Sequence, residues 1–220
     1  MLVLAKAPVP GQAKTRLGAR VGNVAAAGLA AAGILDTLDV CEQVWTDRRD
    51  RHVALAGDLA GAADGEELRE RLAGWTVHPQ VGDGFAARLA RAHADAARES
   101  GAPVVQIGMD TPHVTPGAFR EVVDRLAEGA DAVLGPAEDG GWWVLAVRDP
   151  AYAAGLAEVA MSTPSTYADT LAAVQAAGAD VVVTTAMRDV DEIEDADAAA
   201  TAAPRTRFAR RWSSADRVVS

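Results

Sequence analysis

The apolar positions of the chain fall into short runs separated by longer, alanine-rich stretches with helical spacing. LVLA (2–5), HVALAG (52–57), PVVQIG (103–108), DAVLG (131–135), WWVLAV (142–147) and DVVVTT (180–185) read as strands. Helices are predicted near 23–38, 65–73, 84–99, 115–128, 165–177 and 192–201. Short apolar strands alternating with helices imply an α/β, Rossmann-like three-layer sandwich around a mostly parallel sheet. One pair breaks the pattern, because only seven residues, Pro136 to Trp142 inclusive, link DAVLG to WWVLAV. A parallel crossover needs about a dozen residues. That pair is therefore antiparallel or not adjacent, and the sheet is mixed.

Composition narrows the picture. Of 220 residues, 50% are hydrophobic and 24% charged, enough for one sizeable core. No repeat or shift of composition interrupts residues 1–203, which read as one domain. Residues 204–220, PRTRFARRWSSADRVVS, hold five Arg and one Asp, a local balance of +4 that leaves -14 on the rest of a chain with net charge -10. This basic tail reads as a solvated terminus, or else as a contact for an anionic ligand or a neighbouring subunit. The overall negative charge argues against nucleic-acid partners. The lone cysteine, Cys41, cannot form an internal disulfide, which points to a reducing, cytoplasmic setting. It reads as following a helix with no histidine close in sequence, so it is not taken as a nucleophile. No apolar run stands out as approaching the roughly 20 residues of a membrane span. MLVLAKAPVPG is too short for a signal peptide and reads as the first strand.

In α/β sheets ligands gather beyond the carboxyl ends of the strands, and polar residues crowd there in this sequence. After the first strand, KAPVPGQAKTRLG fixes the backbone at Pro8 and Pro10, frees it at Gly11, and delivers Lys14 and Arg16. A rigid loop with backbone N–H groups and two cations suits a polyphosphate, although the Walker spacing is absent. Asp110 follows PVVQIG directly and is a candidate metal carboxylate, with Thr115 the expected N-cap of a helix starting at Pro116. His113 reads as an exposed loop residue; no second histidine shares its spacing, so zinc is not expected there. In RDVDEIEDADA most of the acids read as a helix N-terminus. Asp191, at the end of the extended RDVD, stands apart as a partner for Asp110 on a hard cation, Mg²⁺ or Mn²⁺.

AKAPVPGQAKTRL (5–17), GDGFAARLARAH (82–93), IGMDTPHVT (107–115), GPAEDGGWWVLAV (135–147), MSTPSTYADT (161–170) and DVDEIED (189–195) together resemble the nucleotide-diphospho-sugar transferase superfamily with the glycosyltransferase-A fold. They are most similar to its uncharacterised bacterial radical-SAM-associated group, itself similar to 2-phospho-L-lactate guanylyltransferase. The resemblance implies that Lys14 and Arg16 contact nucleotide phosphates, with Ala5, Lys6, Pro10, Gly11 and Gly108 also at the nucleotide. It implies that Asp110 and Asp191 hold the metal. Thr111, Asp139, Gly140, Gly141, Trp142, Trp143, Ser162 and Thr163 fall on the substrate side, and Lys14, Arg16, Asp110 and Asp139 form the catalytic group. The chain departs from the family pattern in Met109 and Thr111 beside Asp110, in Trp142-Trp143 where tyrosines are usual, and in Met161 where tryptophan is common. The last two alter the pocket wall.

Successive strand residues face opposite ways, so one of Trp142 and Trp143 is expected in the core and the other beside the cleft. The expected reaction is metal-dependent transfer of a nucleoside monophosphate from an NTP to a small acceptor, releasing pyrophosphate. The alternatives are a glycosyltransferase using a nucleotide-diphospho-sugar, with Asp139 or Glu138 as base or sugar contact, and a non-catalytic nucleotide-binding protein. The partners are then a nucleotide and a small acceptor, without nucleic acid or membrane. Whether the chain is a homodimer is left open.

Overall fold

The computed structural model describes residues 1–215. Seven strands, β1 (Leu2–Lys6), β2 (His52–Ala56), β3 (Thr76–Pro79), β4 (Val104–Ile107), β5 (Ala132–Pro136), β6 (Trp142–Val147) and β7 (Val181–Val183), form one sheet in the order β3-β2-β1-β4-β6-β5-β7. β6 is antiparallel to both neighbours, and all other pairs are parallel. The short β5–β6 link therefore makes an antiparallel pair, as its length requires. β3 escapes the sequence reading because it is four residues long and ends in Pro79. It lies at the edge of the sheet, where a missing backbone N–H is tolerated.

Helices α1 (Thr15–Val21), α2 (Asn23–Val44), α3 (Gly65–Leu72), α4 (Gly84–Ser100), α5 (Pro116–Ala127), α6 (Thr166–Ala176), α7 (Ile193–Ala202) and α8 (Arg207–Ser213) surround it, with a 3-10 stretch over Pro150–Glu158. One face of the sheet packs on α2, α3 and α5 through Ile34, Leu38, Leu68, Phe119 and Val122. The other packs on α4 and α6 through Leu89, Ala96 and Val174. Thr115 caps α5, accepting from the Ala118 amide at 3.2 Å.

The largest departure from expectation concerns α2. It runs past residue 38 to Val44, so Cys41 lies inside it, fully buried, with burial pushing the thiol up. Its 22 residues, with a mean hydropathy of 1.6 over the most apolar window, give it the length and composition of a membrane span, contrary to the sequence reading. In this fold it is a core helix. Ile34, Leu35 and Leu38 meet the sheet, while Ala26, Leu29 and Ala32 meet Phe208 and Trp212 of α8. An all-round apolar helix is what a doubly covered position selects. Residues 207–213, read as part of a solvated tail, are thus a packed helix with Phe208 and Trp212 2% exposed. The i,i+4 spacing of those two aromatics is the signal that the arginines around them masked. Residues 216–220 of that tail lie outside the described residues.

Candidate functional site

Parallel strands bring the segments that follow them to one edge, and here that edge collects the charged residues named from the sequence. Lys14 follows β1, Asp110 follows β4, Asp139 lies in the β5–β6 turn, and Asp191 ends the segment after β7. The post-β7 segment reaches the site because it runs on beside β5. Thr184 N donates to Leu134 O (3.1 Å), Met187 N to Pro136 O (3.0 Å), and Val190 N to Asp110 O (2.9 Å). The last bond fixes Asp191 beside Asp110.

Lys14 sits at the centre. Its ammonium contacts Asp110 Oδ1 and the Val190 carbonyl, and lies 3.8 Å from Asp191 Oδ1, with the side chain only 6% exposed. Its backbone is left-handed (φ 48°, ψ 48°) immediately before α1, a conformation uncommon for a residue with a Cβ. Arg16 pairs with Asp191 Oδ2 at 3.1 Å from the solvent side. Lys6, exposed at the end of β1, and Pro10 and Gly11, exposed on the loop that follows, flank this position, whereas Ala5 is buried in β1. Asp189 is the residue the sequence reading passed over, grouped with the helix-capping acids. Burial, with Asp139, Asp191 and Asp110 nearby, pushes its carboxyl up to about 6. The capping role belongs to Glu192 and Asp195, whose side chains close the first turn of α7.

The β5–β6 turn is built on itself. Asp139 Oδ1 accepts from Gly141 N at 2.7 Å, and Gly140 has φ +92°. A Cβ on Gly140 would stand 2.4 Å from the Pro164 carbonyl oxygen, and Tyr167 N donates to Gly140 O at 2.8 Å. Gly140 therefore admits a backbone, that of the 161–166 loop, rather than a ligand. Ser162 in that loop is exposed with φ +60°, and Thr163 is half-buried and bonded to Thr166. Thr111 is buried beside Asp110, and Gly108 is half-buried.

The two tryptophans turn to opposite faces of the sheet, the reverse of the faces strict alternation assigns, and each packs against an apolar cluster. Register shifts at Gly135/Pro136, so that Pro136 faces Trp142 while Gly135 faces Val144. The bulge turns Trp143 onto the face of Val144, where it packs against Phe119 and donates to Thr185 O at 2.9 Å. Trp143 is core, 4% exposed. Trp142 is half-buried between the α4 and α6 sides and donates to Thr170 Oγ1 at 3.2 Å. His113 is half-buried rather than exposed, and burial lowers its pKa despite the nearby Glu138 carboxylate.

Among the described residues a second group with ligand chemistry, His52, His78 and Glu99, lies away from this edge. His52 Nδ1 and His78 Nε2 are 3.0 Å apart, the ring centroids are 5.3 Å apart, and the planes are within 17°. The rings therefore meet edge to edge and share one proton along the line between them. An ion bound to both, at about 2.0–2.1 Å, requires nitrogens that converge on a third point. Two surface grooves of about 380 and 370 Å³ flank α8, and neither is lined by Lys14, Asp110, Asp139 or Asp191.

This mixed sheet with its charged carboxyl edge is the nucleotide-diphospho-sugar transferase fold. A crystal structure from Desulfovibrio desulfuricans G20, of a protein provisionally named a nucleotide-diphospho-sugar transferase, superposes with a TM-score of 0.79 at 26% identity, covering 96% of this chain and 91% of that one. The 4-diphosphocytidyl-2C-methyl-D-erythritol synthase of Anaerococcus prevotii shares the fold at TM-score 0.54 and 12% identity, covering 93% and 98%. A CMP:2-keto-3-deoxy-manno-octonic acid synthetase solved with CTP does so at 0.55 and 12%, covering 92% and 97%. A family profile described as an uncharacterized protein conserved in bacteria (DUF2064) matches residues 37–163, and the chain belongs to that family. No curated protein matches the chain.

Proposed function

We propose that this protein is a divalent-metal-dependent nucleotidyltransferase that moves a nucleoside monophosphate from an NTP to a small acceptor and releases pyrophosphate. The observation that carries this reading is the convergence of Lys14, Arg16, Asp110 and Asp191 at the carboxyl edge of the sheet. The donor set suits a hard divalent cation: two carboxylates and the Val190 carbonyl, all oxygens, already surround a positive charge. Asp110 and Asp191 would hold Mg²⁺ or Mn²⁺, which supplies charge neutralisation at the transferring phosphate. Lys14 and Arg16 bind the phosphates, one as a point charge and the other as a planar fork. In the exposed loop, Pro8 and Pro10 lack an N–H and the Val9, Gln12 and Ala13 amides are bonded within the loop, so the Gly11 amide is the one the loop would offer a phosphate. Asp139, held by its own turn, faces the acceptor side. In-line transfer of this kind needs positioning and charge rather than a protein nucleophile, which agrees with a buried, inert Cys41.

A second reading, transfer of sugar from a nucleotide-diphospho-sugar, is favoured by the naming of the D. desulfuricans protein. Incubation with each NTP and each nucleotide sugar, with Mg²⁺ or Mn²⁺ and candidate acceptors, separates the two. Acceptor-dependent pyrophosphate supports nucleotidyl transfer; nucleoside diphosphate with transferred sugar replaces it with the second reading.

A further inference from the structure

Of the 21 lysines and arginines in the chain only Lys6 and Lys14 are lysines. Arginine makes the ion pairs elsewhere, with Asp39, Asp64, Asp95 and Glu138 among its partners. The exception is the place where a cation is surrounded by protein oxygen: Asp110 Oδ1, the Val190 carbonyl and, at 3.8 Å, Asp191 Oδ1. A guanidinium is a wide planar fork, whereas an ammonium is a compact charge with three donors. It is therefore the side chain that best imitates a small ion among oxygens.

We propose that Lys14 is a placeholder cation. In the nucleotide-free protein its ammonium neutralises Asp110 and Asp191 in the position a divalent ion takes. It leaves that position for the nucleotide phosphates when the ion arrives. The inference rests on the metal-and-nucleotide reading above. Its consequence is a coupling: expelling Lys14 strands a nearly buried ammonium unless phosphate is there to receive it. The protein thus binds the ion weakly alone and strongly together with nucleotide.

The probe is Mn²⁺ alone, titrated by calorimetry and electron paramagnetic resonance into the wild type, Lys14→Met and Asp110→Asn. The expected result is that Lys14→Met binds Mn²⁺ about tenfold more tightly than the wild type without nucleotide, because no competing charge has to leave. Mn²⁺ should also raise its melting temperature more than that of the wild type. In the wild type, an amine-acylating reagent followed by mass spectrometry should label Lys14 faster once Mn²⁺ is added. Exposed Lys6 serves as the unchanged control, and this arm stands even where Lys14→Met fails to fold. If Mn²⁺ binds and Asp110→Asn abolishes binding, but Lys14→Met gains nothing and Lys14 labelling does not change, the placeholder is overturned and the metal site stands. If Asp110→Asn leaves Mn²⁺ binding as it was, or the wild type binds none with or without nucleotide, the metal reading itself falls and the inference with it.

Discussion

Two groups of acids in this molecule are handled in opposite ways. Beside α8, Asp36, Asp39 and Asp64 each meet an arginine or a backbone N–H, and Asp197 accepts from the Trp212 indole at 2.8 Å. Asp36 accepts from the amides of Arg207 (2.9 Å) and Phe208 (2.8 Å), Asp39 pairs with Arg71 and Arg207, and Asp64 pairs with Arg211 (2.6 Å). At the carboxyl edge of the sheet, Asp110 and Asp191 share Lys14, Asp191 also meets Arg16, and Asp189 is pushed up to about 6 by burial and by the nearby Asp139, Asp191 and Asp110. The first group holds a helix in place. The second gathers acids around one nearly buried cation, the arrangement the proposed site calls for.

The sharpest test of that contrast is a pair of aspartates. Asp110→Asn keeps the shape of the site and removes its central charge. Transfer activity should fall by on the order of 10³-fold, the scale of losing a major electrostatic contact to the transition state. Stability should change by about 1–2 kcal/mol: the Asp110 carboxylate is 47% exposed, but its partner Lys14 is 6% exposed and keeps the Asn oxygen and the Val190 carbonyl as acceptors. A pyrophosphate assay and urea unfolding on the same preparation measure both.

Asp36→Ala reverses the pattern. The carboxylate is 6% exposed and accepts two backbone amides at the start of α8. Losing it leaves two N–H groups and the Arg207 guanidinium short of a partner, at a cost of about 3 kcal/mol. The folded fraction should retain its activity. Activity lost in proportion to Asp110→Asn would mean that the α8 group also serves the site.

Much of this division was legible in the sequence, and the part that was not has specific causes. Lys14, Arg16, Asp110, Asp139 and Asp191 each follow a strand, and the antiparallel pairing of β5 with β6 follows from the length of their link. Asp189 looked like one more acid before a helix; only the approach of the β5–β6 turn places it near Asp139. The order of the two tryptophans depends on a bulge, which shifts a period-two pattern by one residue without any mark in composition. The 3-10 stretch at Pro150–Glu158 is apolar on all sides and so shows no period, and α1 and α8, seven residues each, are too short for one to emerge. The end of α2 was obscured because Asp39, Glu42 and Gln43 interrupt the apolar pattern beyond Leu38, yet Asp39, with Asp36, anchors α8.

A smaller effect comes from titration, where two groups act in one pH window with opposite signs. His93, buried between α4 and β4, gives Nδ1–H to Gln106 Oε1 (2.9 Å), and desolvation lowers its pKa to about 4. A depressed histidine favours the fold above its unfolded pKa of about 6.5, and that stability is lost as pH falls towards 4. Its full extent is about 3 kcal/mol. Asp189, raised to about 6, favours the fold at low pH and loses that contribution as pH rises through 6. Urea unfolding of His93→Gln at pH 7 and pH 4.5 should therefore show a smaller acid loss than the wild type. Asp189→Asn should show a larger one.

The mildest change predicted for stability is Arg16→Ala. Its guanidinium is 71% exposed and its partner Asp191 40% exposed, at 3.1 Å. An ion pair so open to water contributes at most about 0.5 kcal/mol, so the melting temperature should hardly move. Lys14, not Arg16, carries the buried charge next to Asp110, so the site should also stay assembled. What Arg16 retains is its position beside the exposed loop around Pro10 and Gly11, where a bidentate fork would act on the proposed polyphosphate. The KM for nucleotide should rise about tenfold, with kcat changed far less than in Asp110→Asn. A kcat loss as deep as that of Asp110→Asn would move Arg16 from holding the nucleotide to stabilising the reacting phosphate. An unchanged KM would remove it from the site.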